Sequence, residues 1–149
     1  MIPTDEEQYV RKAWKAQGKK NRRDGAAFEL RVRKHLESNG WIVDKWSNNV
    51  DIDNNTLIPA KHRYVGKNIL AIGTGFPDFL VFKQFLGFPI RYIVTGVEVK
   101  SNGYLDKTEK AKCQWLLRNR IFKIILVASK GKEGEIVYKQ VKGGNDDDN

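Results

Sequence analysis

The amino-acid sequence predicts an α/β fold in which helices flank a mixed β-sheet. Amphipathic helical stripes occur in residues 25–38 and 106–119, and apolar runs typical of strands buried on both faces occur in residues 79–83, 90–100 and 122–128. The last of these runs fits a central position in the sheet. Helical and strand segments that alternate along a chain favour helices packed on a sheet. The length of 149 residues is that of one domain.

Two helices are expected before the first strand. Thr4 is a good N-cap for a basic helix over residues 4–20, and the polar run that follows Gly18 should end this helix. Asp24 is a plausible cap for a second helix, which should occupy residues 25–38. Its apolar stripe consists of Phe28, Val32 and Leu36.

Strands and one long polar stretch make up the middle of the chain. Residues 41–46 are typical of a short strand, and residues 47–68 are unusually long for an unstructured loop. Such a stretch is often functional, or it contains a short strand or hairpin. The strands 79–83 and 90–100 should form an antiparallel hairpin, and a last strand is expected at 135–141.

An excess of positive charge indicates a polyanionic partner. The chain carries 27 Lys and Arg against 18 Asp and Glu, a net charge of +9, and many of the cations fall within residues 11–23. Nucleic acid is the commonest partner of such a surface, although a solvated basic face is an alternative interpretation. The candidate phosphate contacts are Lys19, Lys20, Arg22, Arg23, Lys61, Arg63 and Lys67.

Composition excludes several other classes. No apolar stretch reaches the roughly 18–20 residues that a membrane span needs, and the polar residues 1–8 do not resemble a secretory signal. Cys113 is the only cysteine, so an internal disulfide is excluded, and with His35 and His62 it cannot supply a Cys/His zinc site. We therefore expect a cytoplasmic protein without a membrane partner.

Charged residues at the ends of two apolar strands form the candidate active site. Asp78 precedes one strand, while Glu98 and Lys100 end the next and point to the same side, because strand side chains alternate. Mg²⁺ prefers oxygen ligands, usually one or two of them carboxylates. Asp78, Glu98 and the Val99 carbonyl are the candidate ligands of Mg²⁺ or Mn²⁺. Lys100 could orient or deprotonate the attacking water, or stabilise developing charge.

A further carboxylate, Glu29, is expected near the core. It lies three residues before Val32 and seven before Leu36, which places it on the apolar stripe of its helix. Because a buried, unpaired acid is costly, Glu29 should either pair with Arg31 or Arg33, or reach the metal site directly or through a water. It is therefore a candidate catalytic residue and metal ligand.

Together these residues form a pattern that resembles a known nuclease motif. Pro77-Asp78 followed by Glu98-Val99-Lys100 resembles the motif of the PD-(D/E)XK nucleases. Glu29 resembles the acid of their first helix, and Gln114 resembles the helix glutamine of several branches. The pattern is most similar to that of the VRR-NUC branch, with the archaeal Holliday junction resolvases as near neighbours.

The resemblance implies an α-β-β-β-α-β core like that of restriction endonucleases, and DNA cleavage that depends on Mg²⁺ or Mn²⁺. It also implies a catalytic role for Gln114, which could position the water or Lys100. The nuclease domain would occupy residues 25–142. A basic helical extension at 1–24 would precede it, and an acidic, disordered tail at 143–149 would follow it.

The expected function is a metal-dependent DNA endonuclease that selects branched, flap or junction DNA. The protein could act as a monomer, but a homodimer is favoured because symmetric cutting of two strands requires two sites. Two alternatives remain. One is a non-catalytic basic DNA-binding module on the same fold, and the other is a sequence-specific endonuclease of the restriction type.

Overall fold

The computed structural model describes residues 2–59, 62–64, 70–72 and 75–144. Within these ranges, helices and strands follow one another along the chain as α1 (Asp5–Ser38), β1 (Ile42–Lys45), β2 (Asn48–Asp51), β3 (Thr56–Pro59), β4 (His62–Tyr64), β5 (Leu70–Ile72), β6 (Phe79–Phe85), β7 (Arg91–Val99), α2 (Lys107–Arg118), β8 (Ile124–Lys130) and β9 (Ile136–Gln140). The protein is thus a mixed α/β structure.

Helix α1 begins where the sequence predicts. The Thr4 hydroxyl accepts a hydrogen bond from the Glu7 backbone N–H at 3.3 Å, and the Glu7 carboxylate accepts one from the Thr4 N–H at 2.9 Å. This reciprocal capping satisfies two backbone donors that a helix start would otherwise leave free. Thr4 is therefore confirmed as the N-cap.

The predicted division of this region into two helices is wrong. One continuous helix of 34 residues runs through residues 18–24, and Asp24 lies inside it rather than capping a second helix. A glycine inside a helix costs only about 1 kcal/mol, and the Lys, Arg, Gln and Ala residues around Gly18 are strong helix formers. The side chains of Gln17 and Asn21 add a hydrogen bond of 2.8 Å across the predicted break.

Five strands form a mixed sheet in the order β1-β6-β7-β8-β9. The pairing of β7 with β8 is parallel, and the other three pairings are antiparallel. Strand β8, predicted over 122–128, lies between β7 and β9, and β6 and β7 form the predicted antiparallel hairpin. A mixed sheet with flanking helices is therefore confirmed.

The two helices cover opposite faces of the sheet. Phe79 and Leu80 are neighbours in β6, yet Phe79 packs with the α1 cluster and Leu80 with the α2 cluster. Alternate side chains of a strand point to opposite faces. The α1 cluster consists of Phe28, Val32, Leu36, Val43, Phe79, Val81, Val97 and Ala128. The α2 cluster consists of Val50, Phe76, Cys113, Trp115, Leu116, Phe122 and Ile125.

The long polar stretch at 47–68 contains the short hairpin that the sequence allowed as one possibility. Strands β2 and β3 pair antiparallel, with Val50 opposite Leu57. Both side chains pack on the α2 cluster. The hairpin therefore extends the second core and brings backbone from residues 48–50 close to the ends of the central strands.

Burial of the central hairpin is less complete than the apolar sequence suggests. Strand β7 is buried only at residues 95–98, while Arg91, Tyr92 and Val94 are exposed. The prediction of burial on both faces is thus wrong for the outer part of β7, because the flanking helices cover only the inner part. Within the described ranges, neither helix combines the length and the apolar character that crossing a bilayer requires.

Candidate active site

The hairpin of β6 and β7 brings Asp78 and Glu98 together. Phe79 pairs with Val97, so the residue before β6 lies opposite the penultimate residue of β7. The Asp78 N–H donates to Glu98 Oε2 at 3.2 Å, and the Val99 N–H donates to Asp78 Oδ2 at 2.8 Å. Each carboxylate is therefore fixed by the backbone of the other strand, as a preorganised site needs.

Glycine is required three residues before Asp78. A Cβ at Gly75 would lie 2.1 Å from the Trp46 carbonyl oxygen, which no side chain tolerates. The close approach lets the Phe76 N–H donate to the Asn48 carbonyl at 2.8 Å. Strand β2 therefore fixes the position of the segment that precedes Asp78.

An open cavity of about 460 Å³ lies at these strand ends. It is lined by five of the residues that the sequence singled out, which are Glu29, Asp78, Glu98, Val99 and Lys100. The first turn of α2 contributes Thr108 and Glu109, and α1 contributes Gly25 beside Glu29. The candidate site is thus accessible to a ligand.

Burial changes the titration of both central carboxylates. The side chain of Glu98 is 7% exposed and that of Asp78 is 18% exposed. Burial, followed by the charge of Asp78, raises the pKa of Glu98 to about 8, although Lys100 opposes the shift. Burial also raises the pKa of Asp78, against the opposing hydrogen bond from Val99. Glu98 therefore gives up its proton less readily than an ordinary glutamate, and a bound metal ion would favour its charged form.

Lys100 is held by two carboxylates. Its ammonium lies 3.6 Å from Glu98 Oε1 and forms a closer ion pair with Glu109. Glu109 also caps α2 reciprocally with Asp106, which fixes its position. Burial alone lowers the pKa of Lys100, but the hydrogen bond to Glu109 and the charges of Glu98, Glu109 and Asp78 outweigh it and raise the pKa. Lys100 is consequently a stable cation at neutral pH.

Glu29 reaches the site, but its partner is not one of the expected arginines. It forms an ion pair with Lys45, the last residue of β1, whose ammonium also lies 4.0 Å from Asp78 Oδ1. Of the two possibilities that the sequence left open for Glu29, a position at the cavity agrees with the structure, whereas Arg31 and Arg33 contact other groups. Arg33 instead pairs with Glu37 one helical turn later, and the Arg31 guanidinium donates to the Gly134 carbonyl.

Gln114 is the one candidate catalytic residue that the structure places elsewhere. Its amide nitrogen donates to the Lys142 carbonyl at 2.6 Å, and its amide oxygen accepts from the Gly144 N–H at 2.8 Å. Gln114 thus anchors the C-terminal segment and does not line the cavity. Gly143 and Gly144 are the first two residues of the expected acidic tail, and the Gly144 N–H contacts Gln114. Residues 145–149 lie outside the described ranges.

The candidate phosphate contacts divide into three groups. Lys19, Lys20, Arg22 and Arg23 are exposed on α1. Arg63 lies in β4. Lys61 and Lys67 lie outside the described residues.

The donor set at the cavity suits a hard divalent cation. Among the described residues, no group of three or more His, Cys, Asp or Glu side chains is arranged to hold a metal ion. Mg²⁺ needs fewer, because one or two carboxylates usually suffice and waters and substrate oxygens complete its shell. Asp78 and Glu98 are adjacent carboxylates whose pKa values are both raised. A cation between them would relieve the repulsion that contributes to this shift.

Sequence reasoning missed Lys45 and Glu109. Glu109 could have been found, because Asp106 followed three residues later by Glu109 is the pattern of a helix capping box. That pattern places the Glu109 carboxylate at the start of α2, near the end of β7. Lys45 carried no comparable signal, since its contacts with Glu29 and Asp78 depend on how β1 packs against α1.

Comparisons with models of protein families, with curated proteins and with solved structures find no match to this chain. The chemistry of the site is therefore inferred from its own geometry.

Proposed function

We propose that this protein is a metal-dependent DNA endonuclease of the PD-(D/E)XK type, most similar to the VRR-NUC branch. One observation carries the proposal. Asp78 and Glu98 meet at the ends of paired strands, with Lys100 beside them, in an open cavity. The same proposal assigns the sheet and its helices to the restriction-endonuclease-like fold.

Asp78 and Glu98 would hold Mg²⁺ or Mn²⁺, together with the Val99 carbonyl, while Glu29 would act directly or through a water. When bound, such an ion neutralises charge on a phosphodiester and acidifies a water molecule. Lys100 is a cation at neutral pH, which favours roles in orienting the water or stabilising negative charge over deprotonating the water. Glu109 would keep the ammonium of Lys100 in place.

The proposed substrate is DNA, and its geometry is a branch, a flap or a junction. The net charge of +9 and the exposed cations of α1 support DNA as the substrate. Such contacts give affinity without reading bases. The expected branch, flap or junction geometry comes from the resemblance to the nuclease motif. A cytoplasmic location is part of the proposal.

Cleavage assays test the proposal directly. Plasmid, linear duplex, flap and four-way junction DNA are incubated with the protein in Mg²⁺, Mn²⁺ or EDTA. We expect cleavage of at least one substrate in the presence of metal, and its loss in Asp78→Asn and Glu98→Gln. The matched control is Asp53→Asn, which removes an exposed carboxylate of the β2–β3 turn. Cleavage that persists in EDTA, or in Asp78→Asn, would overturn the proposal.

A second candidate is a non-catalytic DNA-binding module on the same fold. It is favoured by the ion pairs that Lys100 forms with both Glu98 and Glu109, because such a network can be purely structural. This candidate predicts salt-sensitive DNA binding and no cutting in any metal. A sequence-specific restriction-type enzyme would instead give discrete fragments from plasmid DNA.

The proposed homodimer has a suitable surface at the tip of the β6–β7 hairpin. Leu86 is 92% exposed and Phe88 is fully exposed in the connection between the two strands, and Phe85, Ile90 and Tyr92 are exposed near it. Phe85 pairs with Arg91 and Tyr92 pairs with Gln84, so the Phe85 and Tyr92 side chains lie on opposite faces of the hairpin. A partner chain would cover the tip and one of these faces. Light scattering should give a dimer mass that Leu86→Glu reduces to a monomer, and a monomeric parent protein would contradict this assignment.

A further inference from the structure

The N-terminal part of α1 extends beyond the body of the protein. The residues of α1 that are buried in the core are Phe28, Val32 and Leu36, all in its last third. Every residue of Asp5–Asp24 except Gly18 is exposed. This range, the outer segment, is about 30 Å long, since a helix rises about 1.5 Å per residue. It has no apolar packing on the rest of the described chain and presents its side chains to solvent.

Helix geometry sorts the cations of the outer segment onto different faces. Positions separated by three and four residues share a face. Counting back from Glu29 in such steps gives Gly25, Arg22, Gly18, Lys15 and Arg11. Gly25 and Glu29 line the active-site cavity. The row that begins at the cavity therefore continues along the outer segment as Arg22, Lys15 and Arg11, which we call the basic stripe.

The side chains of the basic stripe are free to meet an anion. A Cβ at Gly18 would lie 3.7 Å from a guanidinium nitrogen of Arg22, so the Arg22 side chain lies along this face. The ion pairs of the described residues do not include Arg11, Lys15 or Arg22. Like charges four residues apart, such as Arg11 and Lys15, repel each other on a helix. A polyanion would remove this repulsion.

We propose that the basic stripe binds the phosphate backbone of the duplex DNA arm that leaves the active-site cavity. This inference rests on the proposed nuclease function and adds a direction and a length to it. Arg22 lies about 10 Å from Glu29 along the helix axis, and Arg11 lies about 27 Å from it. At 3.4 Å per base pair, the far end of the stripe lies about eight base pairs from the cut, on one side of it.

The same segment supplies a matched control. Lys12, Lys20 and Arg23 lie within the outer segment and carry the same total charge as the stripe. They fall on other faces, because each residue turns a helix by about 100°. The sequence grouped Lys20 and Arg23 with Arg22 as candidate phosphate contacts. The helix turns Lys20 and Arg23 away from the stripe, so this proposal keeps Arg22 as a phosphate contact and removes the other two. A stripe variant (Arg11→Gln, Lys15→Gln, Arg22→Gln) and an off-stripe variant (Lys12→Gln, Lys20→Gln, Arg23→Gln) therefore differ in position and not in net charge.

The first test measures binding without catalysis. Affinity for a duplex of about 20 base pairs is measured in EDTA from 50 to 200 mM salt, with helix content checked by circular dichroism. Loss of three phosphate contacts should reduce the slope of log affinity against log salt by roughly three, which is about a 40-fold smaller loss of affinity over this salt range. The off-stripe variant should keep most of the parental slope. Equal changes in the two variants, or tighter binding of the parent to acidic lipid vesicles than to DNA, would overturn the proposal.

The second test measures cleavage in Mg²⁺ on substrates whose arm on one side of the cut is lengthened stepwise. For the parent protein, KM should fall until the arm reaches about eight base pairs and then level off. The stripe variant should lose this dependence and keep its kcat. If cleavage is absent but the binding results hold, the nuclease function fails and the stripe stands. If cleavage occurs and the stripe variant retains the arm-length dependence, the stripe fails and the nuclease function stands.

Discussion

The charges of the candidate active-site cavity and the charges of the outer segment of α1 behave differently because only the former are buried. In the cavity, Glu98 and Asp78 are held against each other with little solvent, and the pKa of both is raised. In the outer segment, Arg11, Lys15 and Arg22 are exposed. Water and salt screen exposed charges strongly and buried charges weakly.

This difference in burial determines how strongly a single substitution in each region can affect the protein. A buried charge interacts strongly with the groups next to it and shifts their pKa, so single substitutions in the cavity should have large effects. An exposed charge contributes little alone, typically between 0 and 1 kcal/mol, so the outer segment can act only through several residues together. The predictions below test this distinction, starting with the largest expected effect.

The comparison of Lys100 with Arg22 is the sharpest kinetic test. If the proposed nuclease function holds, Lys100→Met should lower the rate of metal-dependent cleavage about 10²- to 10³-fold at every salt concentration, because it removes a preorganised cation from the proposed cleavage site. Arg22→Met should change kcat/KM by no more than about fivefold, and the change should vanish at high salt. Single-turnover cleavage rates of the two variants, measured across a salt series, distinguish these two effects. Comparable losses in the two variants would contradict the distinction.

The dependence of stability on pH should originate in the cavity. The pKa of Glu98 is about 8 in the folded protein, above the ordinary value of 4.5. The folded state therefore binds this proton more tightly, and the free energy of unfolding should fall as pH rises from about 4.5 to about 8. Glu98→Gln should flatten this fall in metal-free protein. Denaturant unfolding at several pH values measures it.

The control for this measurement is Asp24→Asn, which removes an exposed carboxylate from the outer segment. This variant should keep the parental slope between pH 4.5 and 8. A steep slope that survives in Glu98→Gln would show that another group is responsible.

Glu109 should affect the rate of cleavage because it positions Lys100, not because it caps α2. Glu109→Gln keeps a side chain that suits the capping box of α2, but it removes the charge that raises the pKa of Lys100. We expect cleavage to fall about tenfold, as for other supports of a metal site. The pH profile of the rate should shift, because the pKa of Lys100 falls. An unchanged thermal midpoint together with an unchanged pH profile and rate would exclude this positioning role.

The smallest expected effect concerns the glycines of α1. A Cβ at Gly25 would have no heavy atom within 4 Å. Gly25→Ala should therefore stabilise the protein by about 0.5–1 kcal/mol, because alanine loses less entropy in a helix. Gly18→Ala is the matched substitution in the outer segment, where a Cβ would lie 3.7 Å from Arg22. Stabilisation of both, with cleavage reduced only in Gly25→Ala, would indicate that substrate approaches the helix backbone at the cavity.

Local sequence patterns predicted the inner part of the molecule well. Asp78, Glu98 and Lys100 could be placed together because strand alternation and a short hairpin fix their geometry locally. Capping chemistry likewise identified Thr4. Patterns failed where the outcome depended on competing weak preferences, as at Gly18, where neighbouring helix formers outweighed one glycine.

Tertiary packing decided the remaining differences. The Lys45 contact with Glu29 depends on the packing of β1 against α1, which periodicity does not encode. Gln114 was expected near the candidate site because of the resemblance to a nuclease motif, yet the C-terminal segment provides it with two backbone partners. Exposure of the outer part of β7 likewise depends on how far the helices reach along the sheet. Such facts follow from three-dimensional packing and not from local sequence.

Calorimetric titration of the metal-free protein with Mn²⁺ tests the central claim most directly. Asp78 and Glu98 should bind one ion per chain, and binding should release protons, because Glu98 must give up the proton that its raised pKa retains. Affinity should therefore increase as pH rises toward 8, and Asp78→Asn should abolish binding while Asp53→Asn leaves it intact. Binding of Mn²⁺ that is equally strong in Asp78→Asn, or no binding by the parent protein at pH 8, would contradict the account.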